Sequence, residues 1–295
     1  MKVAVIVVNY NDVDDTISYV KEITKYSIID RIVVVDNQST TIGALENLRE
    51  LENEKVIVKE ADKNGGYSYG NNFGARYLRE NDEEYDYLIF SNPDIEVSEE
   101  AIKKCINVLE HNKDVAVVAP RMFNKQGKPI RRSSWKIRTF WRDVVHSTRL
   151  LELIFYSVLR NGEYSEEDYK KDELEVEAIS GAFFVMKKSV LDEIGPFDED
   201  TFLFYEEDIL AIKLKEKGYK TISVNNDHFI HYESQSIGKV YSYFNKIKRL
   251  YNSKIYYHKK YNNMKLGGSI LFRVLDICRK IELLIEIPLR KLMKK

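Results

Sequence analysis

Three consecutive acids, Glu206, Glu207 and Asp208, open a helix-like segment directly after the aromatic run Phe202-Leu-Phe-Tyr205. The helix dipole favours acids at such a start, so capping accounts for part of the triplet. Three exceed what capping needs, and one of them is placed to act as a general base. Asn92-Pro-Asp94 follows an apolar, strand-like segment. Pro93 stiffens that turn, and Asp94 stands where a carboxylate can hold a divalent ion bridging a diphosphate; the same turn is also common without any ligand. Asp36 ends a second apolar run. Its carboxylate can accept hydrogen bonds from a nucleotide base or ribose, or simply cap the next helix. The stretch Asn64-Gly-Gly-Tyr-Ser-Tyr-Gly70 continues to Gly74 and matches neither the dinucleotide fingerprint nor the phosphate loop. Its glycines allow close approach to a ligand and serve equally well as turn formers. His231, in Phe229-Ile-His-Tyr232, is a lone histidine of the kind more often satisfied at a surface or in a core.

These residues need a frame to bring them together, and the first 120 residues supply one. Val3-Ala-Val-Ile-Val-Val8 reads as a strand buried on both faces. Further strands are expected over 31–36, 56–58, 87–90 and 115–119, separated by helices over 12–26, 42–51, 71–80 and 98–111, the last capped by Ser98. Repeated β-α units with short connections argue an α/β, doubly wound sheet, which binds ligands at the carboxyl ends of its strands. Asp36 and Asp94 both fall at such ends. The second half is less regular. A basic-aromatic segment over 131–141 leads into a helix-like stretch to Leu159 and an acidic loop over 163–177. A strand is expected over 179–187, a helix over 207–217 closed by Gly218, and a short strand over 221–224.

With 44% apolar and 32% charged residues in 295, the chain is neither disordered nor collagen-like; it suits one large α/β domain or a domain with an appendage. Two cysteines, Cys105 and Cys278, exclude a disulfide framework and a Cys-rich zinc site. The opening apolar run is too short for a signal-peptide core, so a cytoplasmic chain is expected. A membrane span, which needs about 18 consecutive apolar residues, is not. The net charge of −1 hides an asymmetry: residues 239–295 carry 15 Lys and Arg against three acids, a net +12, leaving −13 on the other 238 residues. Such a tail fits an anionic surface.

Together and in this order the motifs resemble the family 2 glycosyltransferases with the GT-A fold. The match runs through Val8-Asn-Tyr-Asn11, Val34-Val-Asp-Asn-Gln-Ser39, the Asn64 to Gly74 stretch, Asn92-Pro-Asp94, Ser180-Gly-Ala-Phe-Phe184, Gly195-Pro-Phe-Asp198, the acidic triplet and His231. It looks most like the rhamnosyltransferase-type branch of cell-surface polysaccharide synthesis. The resemblance implies a GT-A mixed sheet flanked by helices over 1–238, with 131–175 as a helical, acceptor-side insertion and 239–295 as a basic amphipathic helical extension. It implies a nucleotide-diphospho-sugar donor, dTDP-rhamnose or a UDP-hexose, and the hydroxyl of a growing, lipid-linked glycan as acceptor. Val8, Tyr10 and Asp36 would surround base and ribose, while Asn64, Gly66, Asn72 and Asn92 would line the donor cleft. Asp94 would hold Mg²⁺ or Mn²⁺, with His231 as a further metal or phosphate ligand. The family's base is an acid at the head of the late helix. Counting back from Gly218-Tyr219 selects Glu207, and residue type selects Asp208. The reaction would invert the anomeric centre without a covalent enzyme intermediate. A catalytically silent scaffold of the same fold stays open, whereas a dinucleotide oxidoreductase would need glycines where Asn9-Tyr-Asn-Asp-Val-Asp14 stands.

Arg131, Trp135 and Trp141, with Phe140, offer cation and aromatic surfaces and are expected on the acceptor side; the alternative is an insertion that merely covers the core. In the tail, Ile270, Leu271, Val274, Leu275, Ile277, Cys278, Ile281, Leu284 and Ile285 recur at three- and four-residue steps beside Arg273, Arg279, Lys280 and Glu282. That is the pattern of an interfacial helix, here expected on the inner face of the cell membrane. The apolar stripe argues against nucleic acid as partner. Packing on the catalytic domain or in a homodimer is the competing expectation.

Overall fold

In the computed structural model, which describes residues 1–81, 84–155, 162–232 and 243–292, the opening apolar run becomes the middle of a sheet. Strand β1 (Val3–Asn9) pairs in parallel with β2 (Arg31–Asp36) and β4 (Tyr87–Ser91), and β2 pairs with β3 (Val56–Glu60). These strands are apolar nearly throughout because both faces are covered. Val3, Val5 and Val7 face α1 (Val13–Ile23), α2 (Ala44–Arg49) and α4 (Glu99–His111). Ala4 and Ile6 face the other way, toward α3 (Gly66–Glu80), α7 (Lys188–Ile194) and α8 (Glu206–Glu216).

The β-α alternation suggests a wholly parallel sheet, but β10 (Phe183–Lys187) runs antiparallel between β4 and β6 (Val115–Asn124). The sheet is therefore mixed, as the resemblance implied. Among the described residues its order is β3-β2-β1-β4-β10-β6-β11-β5, where β5 is Ile95–Val97 and β11 is Lys220–His231. Two strands outrun their expected lengths. β6 continues past Ala119 to Asn124, and β11 passes a bulge between Val224 and His228 before pairing with β5. The acidic segment also holds a strand, β8 (Glu173–Val176), on the edge of β11. Its glutamates point outward while Leu174 and Val176 are buried, the period-two signature of a half-buried strand.

The insertion pairs β7 (Ser134–Trp135) with β9 (Ala178–Ile179) and adds two short helices, α5 (Phe140–Val145) and α6 (Arg149–Ile154), capped by Thr139 and Thr148. The tail forms α9 (Tyr243–Tyr261) and α10 (Leu266–Leu292). The expected boundary at 238/239 and the end of the insertion's helical stretch at Leu159 lie outside the described residues. The tail is fastened to the insertion around Asp143, which is fully buried. His258 Nε2 lies 2.8 Å from Asp143 Oδ2, the Tyr205 hydroxyl donates to the same oxygen at 2.6 Å, and Arg138 approaches Oδ1 at 3.7 Å. Burial alone would push the Asp143 carboxyl up. The His258 hydrogen bond and the charges of Lys254 and Arg138 outweigh it and hold the group well below the usual range. Phe140, expected at the acceptor side, instead packs edge-on against Phe272 and His258 inside this junction.

The helix α10 has two faces. Phe272, Leu275 and Leu283 are buried, whereas Ile270, Val274, Ile277, Ile281, Leu284 and Ile285 are each at least half exposed. Glu282 turns inward, accepting the Arg149 and Leu150 amides at the head of α6, and Arg279 pairs with Glu282 and Glu286. The sequence stripe therefore divides between packing and exposure. Asp143→Ala removes the carboxylate that bonds to His258 and Tyr205 and balances the Arg138 charge, and a loss of about 3–5 kcal/mol is expected. An unchanged urea midpoint would show that the junction does not depend on this carboxylate.

Candidate active site

The turn after β4 and the end of β11 meet through strand pairing. Because β5 runs antiparallel to β11 with His231 opposite Ile95, the Tyr232 amide donates to the Asp94 carbonyl at 2.9 Å. His231 Nε2 then lies 3.3 Å from Asp94 Oδ2, both side chains largely buried. Among the described residues no group of three or more His, Cys, Asp or Glu side chains is arranged to hold a metal. The carboxylate oxygen suits Mn²⁺ or Mg²⁺, the imidazole nitrogen beside it is a donor that Mn²⁺ accepts more readily than Mg²⁺, and the other positions are left to diphosphate and water. The pair fits such an ion on those terms.

A second connection leads from this turn to the acidic triplet. The Asn92 amide donates to the Ala182 carbonyl at 2.8 Å, which draws the Ser180-Gly-Ala turn over the end of β4. The Gly181 amide donates to Glu207 Oε1 at 3.2 Å, and the Tyr67 hydroxyl donates to the Gly181 carbonyl at 2.7 Å. The two residues Gly181 and Ala182 thus tie Glu207 to α3 and to the Asn-Pro-Asp turn. Tyr67 and Gly181 were not singled out from the sequence, although Gly181 stands in the Ser-Gly-Ala motif.

The three acids have different surroundings. Asp208 is buried and fully engaged: it accepts the Arg138 amide at 2.9 Å and the Trp135 indole N–H at 3.3 Å, and pairs with Arg138 Nε at 3.2 Å. Burial outweighs the Arg138 charge and raises its carboxyl to about 6. Glu206 is buried with Oε2 lacking a hydrogen-bond partner, and burial followed by the Glu207 charge pushes it well above the carboxylate range. Glu207 is half-buried, and the Gly181 amide is its side chain's hydrogen bond. Its surroundings raise its carboxyl too, against backbone donors. A partly accessible carboxylate with an elevated pKa has the properties of a general base.

The remaining donor-side positions divide. Val8 sits under α3, where a Cβ on Gly70 would come within 2.6 Å of its Cγ1, so glycine lets helix and strand approach. Gly66 has φ +86°, and a Cβ there would meet the Phe202 carbonyl. Asn64 accepts the Gly66 amide and holds Asn37. Tyr10, the residue after β1, is half-buried. The Asp36 carboxylate is already taken up by Asn9 at 2.8 Å and by Ser39. Asn72 faces away from the loops, exchanging hydrogen bonds with both the amide and carbonyl of Phe197 and donating to Glu199.

On the other side, Trp135 and Arg138 line a cavity of about 320 Å³ that also reaches Leu250 and Lys254 of the tail. Arg131 is exposed and paired with Glu163 at 2.7 Å. Trp141 is 69% exposed, set edge-on against Phe140, and does not line that cavity. Of the three expected acceptor residues only Trp135 adjoins the acidic triplet.

A model of glycosyl transferase family 2 matches residues 4–195 of the chain. The low-salt glycan biosynthesis hexosyltransferase Agl10 of Haloferax volcanii is 26% identical over 206 residues, 69% of this chain and 58% of that protein. The chain thus spans less than two thirds of its relative's length. Among solved structures, GalNAc-T7 with UDP, GalNAc and Mn²⁺ superposes with a TM-score of 0.60 at 15% identity, over 79% of this chain and 44% of that one. The Pyrobaculum calidifontis mannosyltransferase PcManGT, with GDP-Man and Mn²⁺, gives 0.58 at 14% identity over 96% and 75%. S. aureus TarS with UDP-GlcNAc gives 0.54 at 16% over 86% and 66%. At these identities the three likenesses show the fold.

The different surroundings of Glu207 and Asp208 separate their variants. Glu207→Gln should lower kcat by about 10²–10⁴ with the unfolding midpoint retained. Wild-type kcat/KM should show an acidic limb above the ordinary glutamate value of about 4.3, absent from the residual activity of the variant. Asp208→Asn, which weakens the hold on Arg138, should lower the unfolding midpoint. A stable, inactive Asp208→Asn beside a mildly affected Glu207→Gln would reverse the two roles.

Proposed function

The chain belongs to glycosyl transferase family 2, and on that premise we propose that it moves a hexosyl residue from a nucleotide-diphosphate donor to a glycan hydroxyl, with inversion. The observation that carries this reading is the Gly181-Ala182 segment, whose Gly181 amide donates to the half-open Glu207 and whose Ala182 carbonyl accepts from Asn92 in the turn bearing Asp94. Glu207 takes the proton of the acceptor hydroxyl as that oxygen attacks the anomeric carbon, and the bonding pair to the sugar leaves with the diphosphate. Asp94 and His231 would hold Mg²⁺ or Mn²⁺, which when bound neutralises charge developing on the leaving group. Val8 and Tyr10 would border the base, and Asp36, fixed by Asn9 and Ser39, would present an oriented acceptor to base or ribose. Holding donor and acceptor in line supplies much of the remaining acceleration. Donors of the UDP-hexose or dTDP-rhamnose type suit this site, and the hexosyltransferase relative supports a hexose.

The acceptor in this reading is lipid-linked, and the enzyme works on the cytoplasmic face of a membrane. No helix among the described residues is long and apolar enough to cross one. The exposed face of α10 carries six large aliphatic side chains with exposed Arg273 and Lys265 beside it, in a segment of net +12. An anionic bilayer surface complements both properties, each nearby Lys or Arg adding about 1 kcal/mol.

Two measurements follow. Mn²⁺- or Mg²⁺-dependent release of nucleoside diphosphate from a panel of sugar nucleotides should be found for the wild type and lost in a folded Asp94→Asn variant; absence of release from any donor would favour a silent scaffold. The full chain should float with anionic liposomes at low salt and not at high salt, and Ile277→Glu with Ile281→Glu should abolish flotation. A dimer broken by those same substitutions, without flotation, would make a second copy the occupant of this face.

A further inference from the structure

The cavity between the insertion and α9 has an electrostatic imbalance that the proposed chemistry leaves unused. Arg132, Arg138, Arg142 and Lys254 all line it. The two acids in its wall have closer partners: Glu163 pairs with Arg131 at 2.7 Å, and Glu152 with Arg149 at 3.3 Å and with His146, also of the wall, at 3.1 Å. Arg138 is balanced from behind by Asp208 and Asp143. Arg132, Arg142 and Lys254 have no carboxylate partner within 4.0 Å among the described residues.

The quality of their contacts sharpens the point. Lys254 is 2% exposed; its ammonium bonds to neutral oxygens, the Ser147 hydroxyl at 2.9 Å and the Asp143 carbonyl at 3.4 Å, and lies over the rings of Tyr251 and Phe272 at 4.6 and 5.3 Å from their centroids. Burial lowers it to about 8 despite the nearby Asp143 charge. Arg142 donates through one terminal nitrogen to the Lys136 carbonyl at 2.7 Å, while its Nε is buried without a partner. Arg142, half-buried beside Arg138 and Lys254, gains from an anion that joins these cations, and the exposed Arg132 can reach the same anion at the cavity's rim. Guanidinium forks match phosphate oxygens, and the hydrogen bonds are charge-assisted.

We propose that this cavity binds a phosphate group carried by the acceptor, held by Arg132, Arg142 and Lys254. The inference rests on the acceptor side assigned above. Trp135 lines the same cavity and bonds to Asp208, the residue after Glu207, which sets the cavity against the head of α8. Leu150, Leu153 and Ile154 of α6, which flank Glu152 of the cavity wall, are exposed at 61–64% and offer a path for an alkyl chain. The volume of about 320 Å³ accommodates a phosphate with part of a sugar but not a whole lipid. The phosphate is the shared chemistry, and its carrier is either a lipid or a soluble phosphorylated glycan.

Calorimetric titration of the full chain in EDTA distinguishes these carriers without donor or turnover. Decyl phosphate below its micellar concentration, glucose 1-phosphate and uncharged decyl glucoside are the probes. Decyl phosphate should bind, and Arg142→Gln and Arg132→Gln should each weaken it about tenfold, one charge-assisted hydrogen bond's share. Arg132 is exposed, so its variant keeps the test available should Arg142→Gln fold poorly. Tighter binding of decyl phosphate than of glucose 1-phosphate assigns a lipid carrier; equal binding assigns a soluble phosphorylated one. Binding of decyl glucoside as tight as decyl phosphate, no binding of either phosphate, or affinity unchanged in both folded variants overturns the proposal. Glu207→Gln and Asp94→Asn should bind decyl phosphate normally, so a failure of the catalytic reading would leave this result standing.

Discussion

The antiparallel pairing of β10 with β4, in the register that sets Phe183 opposite Ser91, fixes how the turn before β10 meets the end of β4 and the head of α8. Strands buried on both faces tolerate no slip, because a one-residue shift would turn Phe183 and Val185 out of one core and Phe184 and Met186 out of the other. With that register set, the Ser180-Gly-Ala turn must lie over Asn92, and the Gly181 amide becomes a donor aimed at Glu207. A strand running parallel at this position would deliver its turn to the opposite end of the sheet. The pairing of β5 with β11 does the same for Asp94 and His231.

The acidic triplet illustrates how one helix start can hold three unlike carboxyls. Successive helical residues point about 100° apart, so Glu206, Glu207 and Asp208 meet three different surroundings. Asp208 turns toward the insertion and is held by Arg138 and Trp135, which makes it a joint between α8 and the insertion. Glu206 turns into the core, and its raised carboxyl follows from burial without a donor on Oε2. Glu207 keeps access. The left-handed backbone at Phe204 and Tyr205, both at φ 74°, sets the direction in which the helix begins.

The insertion and the tail form one unit around Asp143. Glu282 of α10 caps α6, Tyr251 of α9 donates to the Ser147 carbonyl, and Tyr257 donates to the Arg138 carbonyl. Arg138 in turn pairs with Asp208, so the tail, the insertion and α8 share a single buried ionic network. Removing charges from such a network costs more than its pairwise contacts suggest, because each remaining group stays desolvated. The outward face of α10 takes no part in it.

Local pattern determined much of this protein. Continuous apolar runs identified the central strands, and Asp36, Asp94 and the acidic triplet stood at strand ends or a helix start where site residues collect. Those signals are carried by neighbouring residues, so they survive reading the chain in one dimension. Other features arise between distant segments. The antiparallel direction of β10 leaves no mark within Phe183–Lys187, since a strand buried on both faces looks alike in either direction. The strand in the acidic segment is legible only if its alternation is weighed above its composition. Which of Glu207 and Asp208 stays accessible depends on Arg138 and Trp135, about seventy residues away in sequence. The tail's stripe recorded that α10 has an apolar side, but only packing on Phe140 and α9 decided that Phe272 and Leu275 face inward while Ile277 and Ile281 remain in solvent. Helical periodicity specifies angles around an axis, and the neighbour that fills one of them is a property of the folded chain.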